Sequence, residues 1–459
     1  MVAPVTPQEW LPVLAKRLDD RRPRVERLRS YANGNAPVPN GSKNLKAAWE
    51  SFQRRARTNF GALIVESVAE RIQCTGVTVG EAQADDDRAR QIWNRNRLDV
   101  VLGDAVRDAL TVGIGYVAVG QMDGEAVITS EPPEVMIAAT DPLRPWVARA
   151  ALKVWRDLDY ERDFAYVWAN GERVKFERPM YDPVYTGKRK RLNTGAFGSW
   201  EVVPDSVEEF DGDVPVFVFE NYESLGEFET HTDLLDRING MLLDRLVTVA
   251  MQAFRQRALK GPLPAQDSEG NTVDYAALFA PGPGALWNLP DGVDIWESQE
   301  SAQSIQQMLA AVKDDVKDLA AVTRTPVAVL VPDSANQSAE GAAFAREGLV
   351  FKAKDRIARM KPSVDALLAR ALQVENADFD GRVKTLWAPP EHVSLAEKYD
   401  AAVKAQAAGV PWRTIMLDIL GFTADDVDRM QAERASDQLT VQALLTERSD
   451  AQVAERAVA

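Results

Sequence analysis

Cysteine and histidine are nearly absent from this chain of 459 residues, which has one cysteine, Cys74, and two histidines, His231 and His392. A lone thiol excludes an intrachain disulfide framework and a cysteine-based zinc site. It fits a reducing cytoplasm, where such a residue is usually a small buried hydrophobe. The two histidines belong to no H-E-x-x-H or other metal spacing. No G-x-x-x-x-G-K-[ST] cradle is present, which excludes a P-loop ATPase, and no G-x-S-x-G nucleophile elbow appears. No run approaches the ~18 consecutive apolar residues of a membrane helix. The opening MVAPVTPQEWLPVLAKRL has no basic region ahead of an apolar core, unlike a secretory signal. Positive charge is also short: 54 Lys and Arg face 69 Asp and Glu, a formal charge of −15. That balance argues against gripping nucleic acid over the whole surface. Hydrophobic and charged contents of 46% and 27% are ordinary for a soluble globular protein, and the length suits two to four folded units.

The chain is organised around a pair of long helical signals. From Thr232 to Lys260, Leu235, Ile238, Leu242, Leu246, Val249 and Ala253 recur at three- and four-residue steps, which predicts one unbroken helix of roughly 44 Å. Arg237, Asp244, Thr248, Gln252 and Arg255 form a polar line on another face. Ser301 to Thr323 repeats the pattern with Ile305, Leu309, Val312, Val316 and Leu319, opposite Lys313, Asp314 and Lys317. Proline and glycine between them forbid continuous helix, so the pair reads as a hairpin of helices with a tip.

Before this hairpin the elements are mixed. Residues 5 to 32 predict a helix with Pro23 at a break or a new first turn. Its Arg21, Arg22, Arg24, Arg27 and Arg29 read as a solvated face or, less simply, a phosphate-binding one. Further helices are expected over Asn59 to Ile72, Asp85 to Trp93 and Asp99 to Thr111. YVAVG, MDGE and AVIT spell a β-hairpin. Gly113, Gly115 and Ala118 match a dinucleotide fingerprint, but the helix precedes the strand, so they read as a tight helix-to-strand turn. Residues 146 to 219 predict antiparallel strands. Their Trp155, Phe164, Tyr166, Trp168, Phe176, Tyr181 and Tyr185, with Lys188, Arg189, Lys190 and Arg191, fit a sheet with an aromatic core and a basic loop, or a stacking surface for nucleic acid. The acidic runs Asp85–Asp87 and Asp425, Asp426, Asp428 lack the ligand spacing of a calcium loop.

Six segments in order carry a resemblance. They are RLRSYANGNAPV; RTNFGALIVESVAERIQCTGVTVG; GIGYVAVG with PPEVMIAATDPLRP; VPVFVFENYESLGEFETHTDLLDRINGMLLDRL; TRTPVAVLVPDSANQSAEGAAFAREGLVFKAKDRIARM; and WAPPEHVSLAEKYDAAVKAQAAGVPWRTIMLDILGFTADDVDRM. Together the chain resembles the portal proteins of tailed double-stranded DNA phages, over most of its length. The resemblance implies an α+β fold. Residues 1–230 are a wing of helices and antiparallel sheet. Residues 231–260 and 301–323 are the two stem helices, with a small clip at 261–300. A tunnel loop at 324–340 leads to a long helix and a return to the wing at 341–392, and 393–459 is a helical crown with a tail.

The implied function is a ring of twelve copies at one capsid vertex, through which double-stranded DNA is packaged and ejected. Implied partners are the terminase large subunit, a head–tail adaptor, the major capsid protein and a scaffold, with no membrane. No cofactor, metal or catalysis is implied. Val331, Asp333, Ser334, Asn336 and Gln337 are the tunnel-loop residues facing DNA, and their lack of positive charge suits sliding, since each phosphate neutralised adds salt-sensitive affinity. Arg237, Asp244, Thr248, Gln252, Arg255, Lys313, Asp314 and Lys317 line the stem. Read from residues alone, two other classes stay open: a soluble α+β hydrolase and a non-portal assembly or adaptor protein.

Overall fold

A computed structural model describes residues 4–37, 46–80, 86–180, 200–253, 257–260, 294–297, 302–331, 339–391, 395–422 and 426–438, with a few positions between 266 and 274. In chain order the elements begin with helices α1 (Pro7–Ala32), α2 (Lys46–Ala56) and α3 (Phe60–Ala69), strand β1 (Cys74–Val79), and helices α4 (Asp87–Arg95) and α5 (Leu98–Val112). Strands β2 (Ile114–Met122), β3 (Glu125–Glu131), β4 (Met136–Thr140), β5 (Ala148–Asp157), β6 (Arg162–Ala169), β7 (Glu172–Pro179), β8 (Glu201–Val202), β9 (Glu208–Glu209) and β10 (Val216–Glu220) follow. Then come α6 (Thr232–Ala253), β11 (Arg257–Lys260), β12 (Asp294–Glu297), α7 (Ala302–Val322), the single turn α8 (Val327–Leu330) and the long α9 (Ala339–Glu375). Strand β13 (Val383–Trp387) and helix α10 (Leu395–Ala407) close the series of larger elements.

The chain divides into two compact units. The first comprises Met1–Pro37, Asn59–Asp233 and Leu319–Ala459; the second comprises Val38–Thr58 and Leu234–Asp318.

In the first unit an antiparallel sheet runs β4-β5-β6-β7-β8, with β9 beside β7. Period-two alternation gives it two different faces. On one, Leu152, Val154, Ala165, Val167, Val174 and Phe176 pack under Trp10, Leu11, Leu14 and Leu18 of α1. On the other, Ala151 and Trp168 join Tyr116, Ala118, Val216 and Val218 of the second sheet, ordered β10-β2-β3. Trp155 stacks on Phe164 with ring centroids 5.4 Å apart, and Lys175 and Arg173 lie over Phe164 and Tyr166, so cations already occupy these ring faces. Tyr181, Tyr185 and the basic run Lys188–Arg191 lie outside the described residues. Within the sheet Asp163 is wholly buried between Arg156 and Arg178, accepting from Arg156 Nε at 2.7 Å and Arg178 Nη2 at 3.1 Å.

The β2–β3 turn is Asp123–Gly124, both with positive φ, as a two-residue hairpin demands. Gly113, at φ +91°, ends α5 and starts β2, so the fingerprint glycines make the helix-to-strand turn. Among the described residues strand β13 pairs only with β1, and its other edge is closed by α9: Thr385 N–H donates to Asp365 Oδ1 at 2.7 Å, and Lys361 Nζ donates to the Thr385 carbonyl. Side-chain capping of this kind blunts an edge that would otherwise pair with another chain.

Two expectations about the elements are corrected. Helix α1 runs through Pro23 without a break, because Leu14 and Leu18 before it and Val25 and Leu28 after it are all buried, and that packing outweighs the lost hydrogen bond. The helix expected to reach Lys260 ends at Ala253, and Arg257–Lys260 pair as a strand with Asp294–Glu297. Arg, Ala, Leu and Lys are good helix formers, so main-chain pairing overrides local propensity there.

Candidate functional site

The α6–α7 hairpin is amphipathic but incompletely covered. In the second unit Ile238 and Leu243 of α6 and Val312 and Val316 of α7 are buried, while Leu242, Leu246, Ile305 and Leu309 remain half-buried and Val249 is exposed. The expected wall residues divide. Arg237 is exposed and reaches across to Asp315 at 2.6 Å, with Asp318 at 3.9 Å. Asp244, Lys313, Asp314 and Lys317 are exposed, Lys317 pairing with Asp314 at 2.9 Å, and Thr248 is half-buried. Gln252 lies in α6, and Arg255 lies outside the described residues. At the start of α6, Asn239 Oδ1 accepts from Thr58 N at 3.0 Å and Thr58 Oγ1 at 2.9 Å, joining the end of the α2 segment to the hairpin. After α7, Leu330 anchors the single turn α8 in the core, and Val331 N–H donates to the Val327 carbonyl at 2.7 Å. Asp333, Ser334, Asn336 and Gln337 lie outside the described residues.

The roots of this hairpin, within the first unit, are held by charge that the sequence reading did not anticipate. Most of the α1 arginines are not a solvated face: of the five, Arg27 is exposed, and Arg21, Arg22, Arg24 and Arg29 are buried or half-buried against other elements. Arg24 grips Glu229 through Nε and Nη2, both at 2.5 Å, and donates to the Ser224 carbonyl at 2.8 Å. Arg27 reaches Thr232, and Arg21 reaches Tyr116 and the Pro133 carbonyl. Arg29 joins Glu134 at 2.8 Å and Asp108 at 2.5 Å. Charge in a sequence shows no partner when the acids lie 79 to 205 positions away.

Glu227 sits at the centre of the joint, its side chain 2% exposed. Its Oε2 takes Lys352 Nζ at 2.7 Å, its Oε1 takes Arg356 Nε at 2.7 Å, and Asn221 Nδ2 adds a bond at 3.1 Å. Lys352 also donates to the carbonyl of Thr323, just past α7, at 2.8 Å. Spacing on α9 is the one signal available beforehand: Lys352 and Arg356 are four apart and share a face. Around them lies a cleft of about 640 Å³ lined by residues including Tyr222, His231, Val322, Arg324 and Phe351. Burial pushes the Glu227 carboxyl up, but Lys352 and Arg356 outweigh it and hold the group below the usual carboxylate range. Burial holds the Lys352 ammonium below its ordinary value, only partly offset by Glu227. Burial, with the Lys352 charge, lowers His231 as well.

Asp108 behaves oppositely. Burial raises it to about 6, with Arg29 opposing. The native state therefore holds this proton more tightly than the unfolded chain between about pH 4 and 6. The contribution is full below the unfolded value and is lost as pH rises through about 6, costing on the order of 3 kcal/mol above it. Asp108→Asn is expected to gain stability on the parent as pH rises from 4 to 7, read as a widening Tm difference. A difference constant with pH removes the assignment.

Among the described residues no group of three or more His, Cys, Asp or Glu is arranged to hold a metal. Asp86 caps α4, and Asp428 pairs with Arg413. No described helix is long and apolar enough to cross a membrane.

The model of the family described as "Phage portal protein, SPP1 Gp6-like" matches residues 13–439. The portal protein of Mycobacterium phage L5 is 23% identical over 418 residues, covering 83% of this chain and 79% of that protein. The portal protein of Mycobacterium phage D29 is 24% identical over 387 residues, covering 77% and 73%. Among solved structures, a chain of the virion of a native gene transfer agent particle aligns with a TM-score of 0.41 at 13% identity, covering 87% of this chain and 94% of that one. With the family model spanning nearly the whole sequence, the chain belongs to the SPP1 Gp6-like phage portal proteins, structural and non-enzymatic components of the tailed-phage virion.

Proposed function

We propose that this chain closes into a ring, of twelve copies, that forms the DNA channel at one capsid vertex and docks the terminase large subunit and a head–tail adaptor. The single observation that supports it most is the hairpin's uncovered apolar surface. Leu242, Leu246, Val249, Ile305 and Leu309 stay half-buried or exposed on helices that bury Leu235, Ile238, Leu243, Val312, Val316 and Leu319. Burial of such side chains is worth about 1.5–3 kcal/mol each, so a neighbouring copy is their natural cover. A head-to-tail interface closed by rotation produces a ring.

In this reading residues 1–230 are the wing, which meets the major capsid protein and any scaffold. The α6 and α7 helices are the stem, and the stretch between them, with its β11–β12 ribbon, is the clip. Residues 324–340 are the tunnel loop, 341–392 the long helix with its return, and 393–459 the crown. The exposed stem charges Asp244, Lys313, Asp314 and Lys317 are mixed in sign, which suits DNA sliding past with few phosphate contacts.

The test is the assembly of the purified protein. Negative-stain images down the axis are expected to give annuli with a central hole, and mass measurement a multiple near twelve of the 50.7 kDa chain. Monomers or dimers at micromolar concentration, with no pore in any view, would end this reading.

A further inference from the structure

Non-glycine residues in left-handed backbone mark both roots of the hairpin. Glu223 (φ +53°) and Ser224 (φ +54°) precede α6, and Arg324 (φ +52°) follows α7. Such conformations cost on the order of 1–2 kcal/mol per residue and persist only where their surroundings fix them. At the entry root, Arg24 holds the Ser224 carbonyl and Glu229, and Glu227 N–H donates to the Leu110 carbonyl at 2.7 Å. At the exit root, Lys352 holds the Thr323 carbonyl. The link between the two is the Glu227 carboxylate, through Lys352.

Buried ion clusters are weak stabilisers, because desolvation offsets their attraction, and their best-attested use is to fix register. We infer that Glu227, Lys352 and Arg356 are positioning residues that key both hairpin roots to one face of α9, so that the two roots and the long helix shift as a unit. Three features point the same way. Lys352 touches both roots. Arg359, one turn beyond Arg356, lies over the Tyr222 ring at 4.9 Å, extending the contact along the entry root. Ser363, a turn further, donates to the Val218 carbonyl of β10 at 2.7 Å, so one helix face follows the chain from β10 to the hairpin. The inference deepens the ring-and-channel reading and rests on it for its functional arm only.

Lys352→Met is the sharp test in the full-length protein, because it removes the bridge while Glu227 keeps Arg356 and Asn221. Amide exchange over residues 319–325 is expected to accelerate about tenfold, with residues 364–372 of α9 unchanged. Rings should persist, and DNA-filled particles should fall in a phage that depends on the variant. The triple variant Glu227→Leu, Lys352→Met, Arg356→Leu removes the charges together, and is expected to fold and to speed exchange at both roots. Unchanged exchange in both variants overturns the inference. So does a triple variant that cannot fold, since the cluster would then be a source of stability, and so does faster exchange with normal packaging. A parent protein that forms no ring defeats the assembly reading instead and leaves the exchange result standing, so the two failures are told apart.

Discussion

Alanine at Gly113 is expected to leave little folded protein, and alanine at Gly226 to come close behind. A Cβ on Gly113 would lie 1.9 Å from the Ser224 carbonyl oxygen, and one on Gly226 would lie 2.1 Å from that of Thr111. Both obstacles are backbone, so no rotamer change relieves them. These positions are where the α5–β2 turn and the segment leading into α6 cross at van der Waals contact. The crossing is stitched by Asn221 N–H to the Gly113 carbonyl at 3.0 Å and Glu227 N–H to the Leu110 carbonyl at 2.7 Å. Gly113 carries a second cost, its φ of +91°. Overpacking costs about 1–3 kcal/mol or more, and left-handed backbone adds about 1–2, against a typical total stability of 5–15 kcal/mol. Gly124 is the control: its φ is +84° but nothing lies within 4 Å of a Cβ, so only the backbone term of about 1 kcal/mol applies. Soluble yield and Tm should fall in the order Gly124→Ala, Gly226→Ala, Gly113→Ala. A Gly113→Ala protein as stable as Gly124→Ala would remove the argument.

The sequence made the turn at Gly113 legible, because a helix period ends and a strand period begins on either side of it. It did not make the crossing legible, since nothing in GIGYVAVG names Ser224 as a neighbour. The same division runs through the fold. Periodicity located α6, α7, the β2–β3 hairpin and the antiparallel strands of the first unit, because each pattern reports one element meeting water on one side. Where a main-chain partner decided the outcome, it failed: Arg257–Lys260 keep the composition of a helix and become a strand only because Asp294–Glu297 lie beside them.

Charge was read least well, for a physical reason. A run such as Arg21, Arg22, Arg24, Arg27 and Arg29 looks solvated unless its partners are known, and here they come from residues 108, 116, 133, 134, 224, 229 and 232 as well as from α1 itself. Glu227 gave no signal at all, being one acid in a loop. On α6 and α7 the sequence pattern shows exposure but not pairing. Periodicity put Asp244, Lys313, Asp314 and Lys317 on exposed faces, but not Arg237 onto Asp315 across the hairpin.

Replacing residues 332–337 by a Gly-Ser linker of equal length is expected to leave the ring and its Tm unchanged while DNA-filled particles fall by roughly tenfold or more, the equivalent of ~1.4 kcal/mol on a rate-limiting step. The boundary is set by the turn before it. Leu330 is buried and Val331 closes the turn onto Val327, so a replacement reaching Val327 would also remove a core anchor and confuse folding with function. The segment PDSANQ has one charge, Asp333, and no cation. It would contact a moving phosphate backbone with little of the salt-dependent affinity that a lysine or arginine adds. The companion variant Asn336→Lys should act in the opposite sense, slowing passage by adding one phosphate contact, and its effect should fade as salt is raised. The neutral control is Lys404→Ala on the exposed face of α10, away from the proposed channel, where loss of a surface pair with Asp400 is worth at most about 1 kcal/mol. Normal filling by the linker variant, in rings that are intact, would overturn the DNA-facing role proposed for this loop.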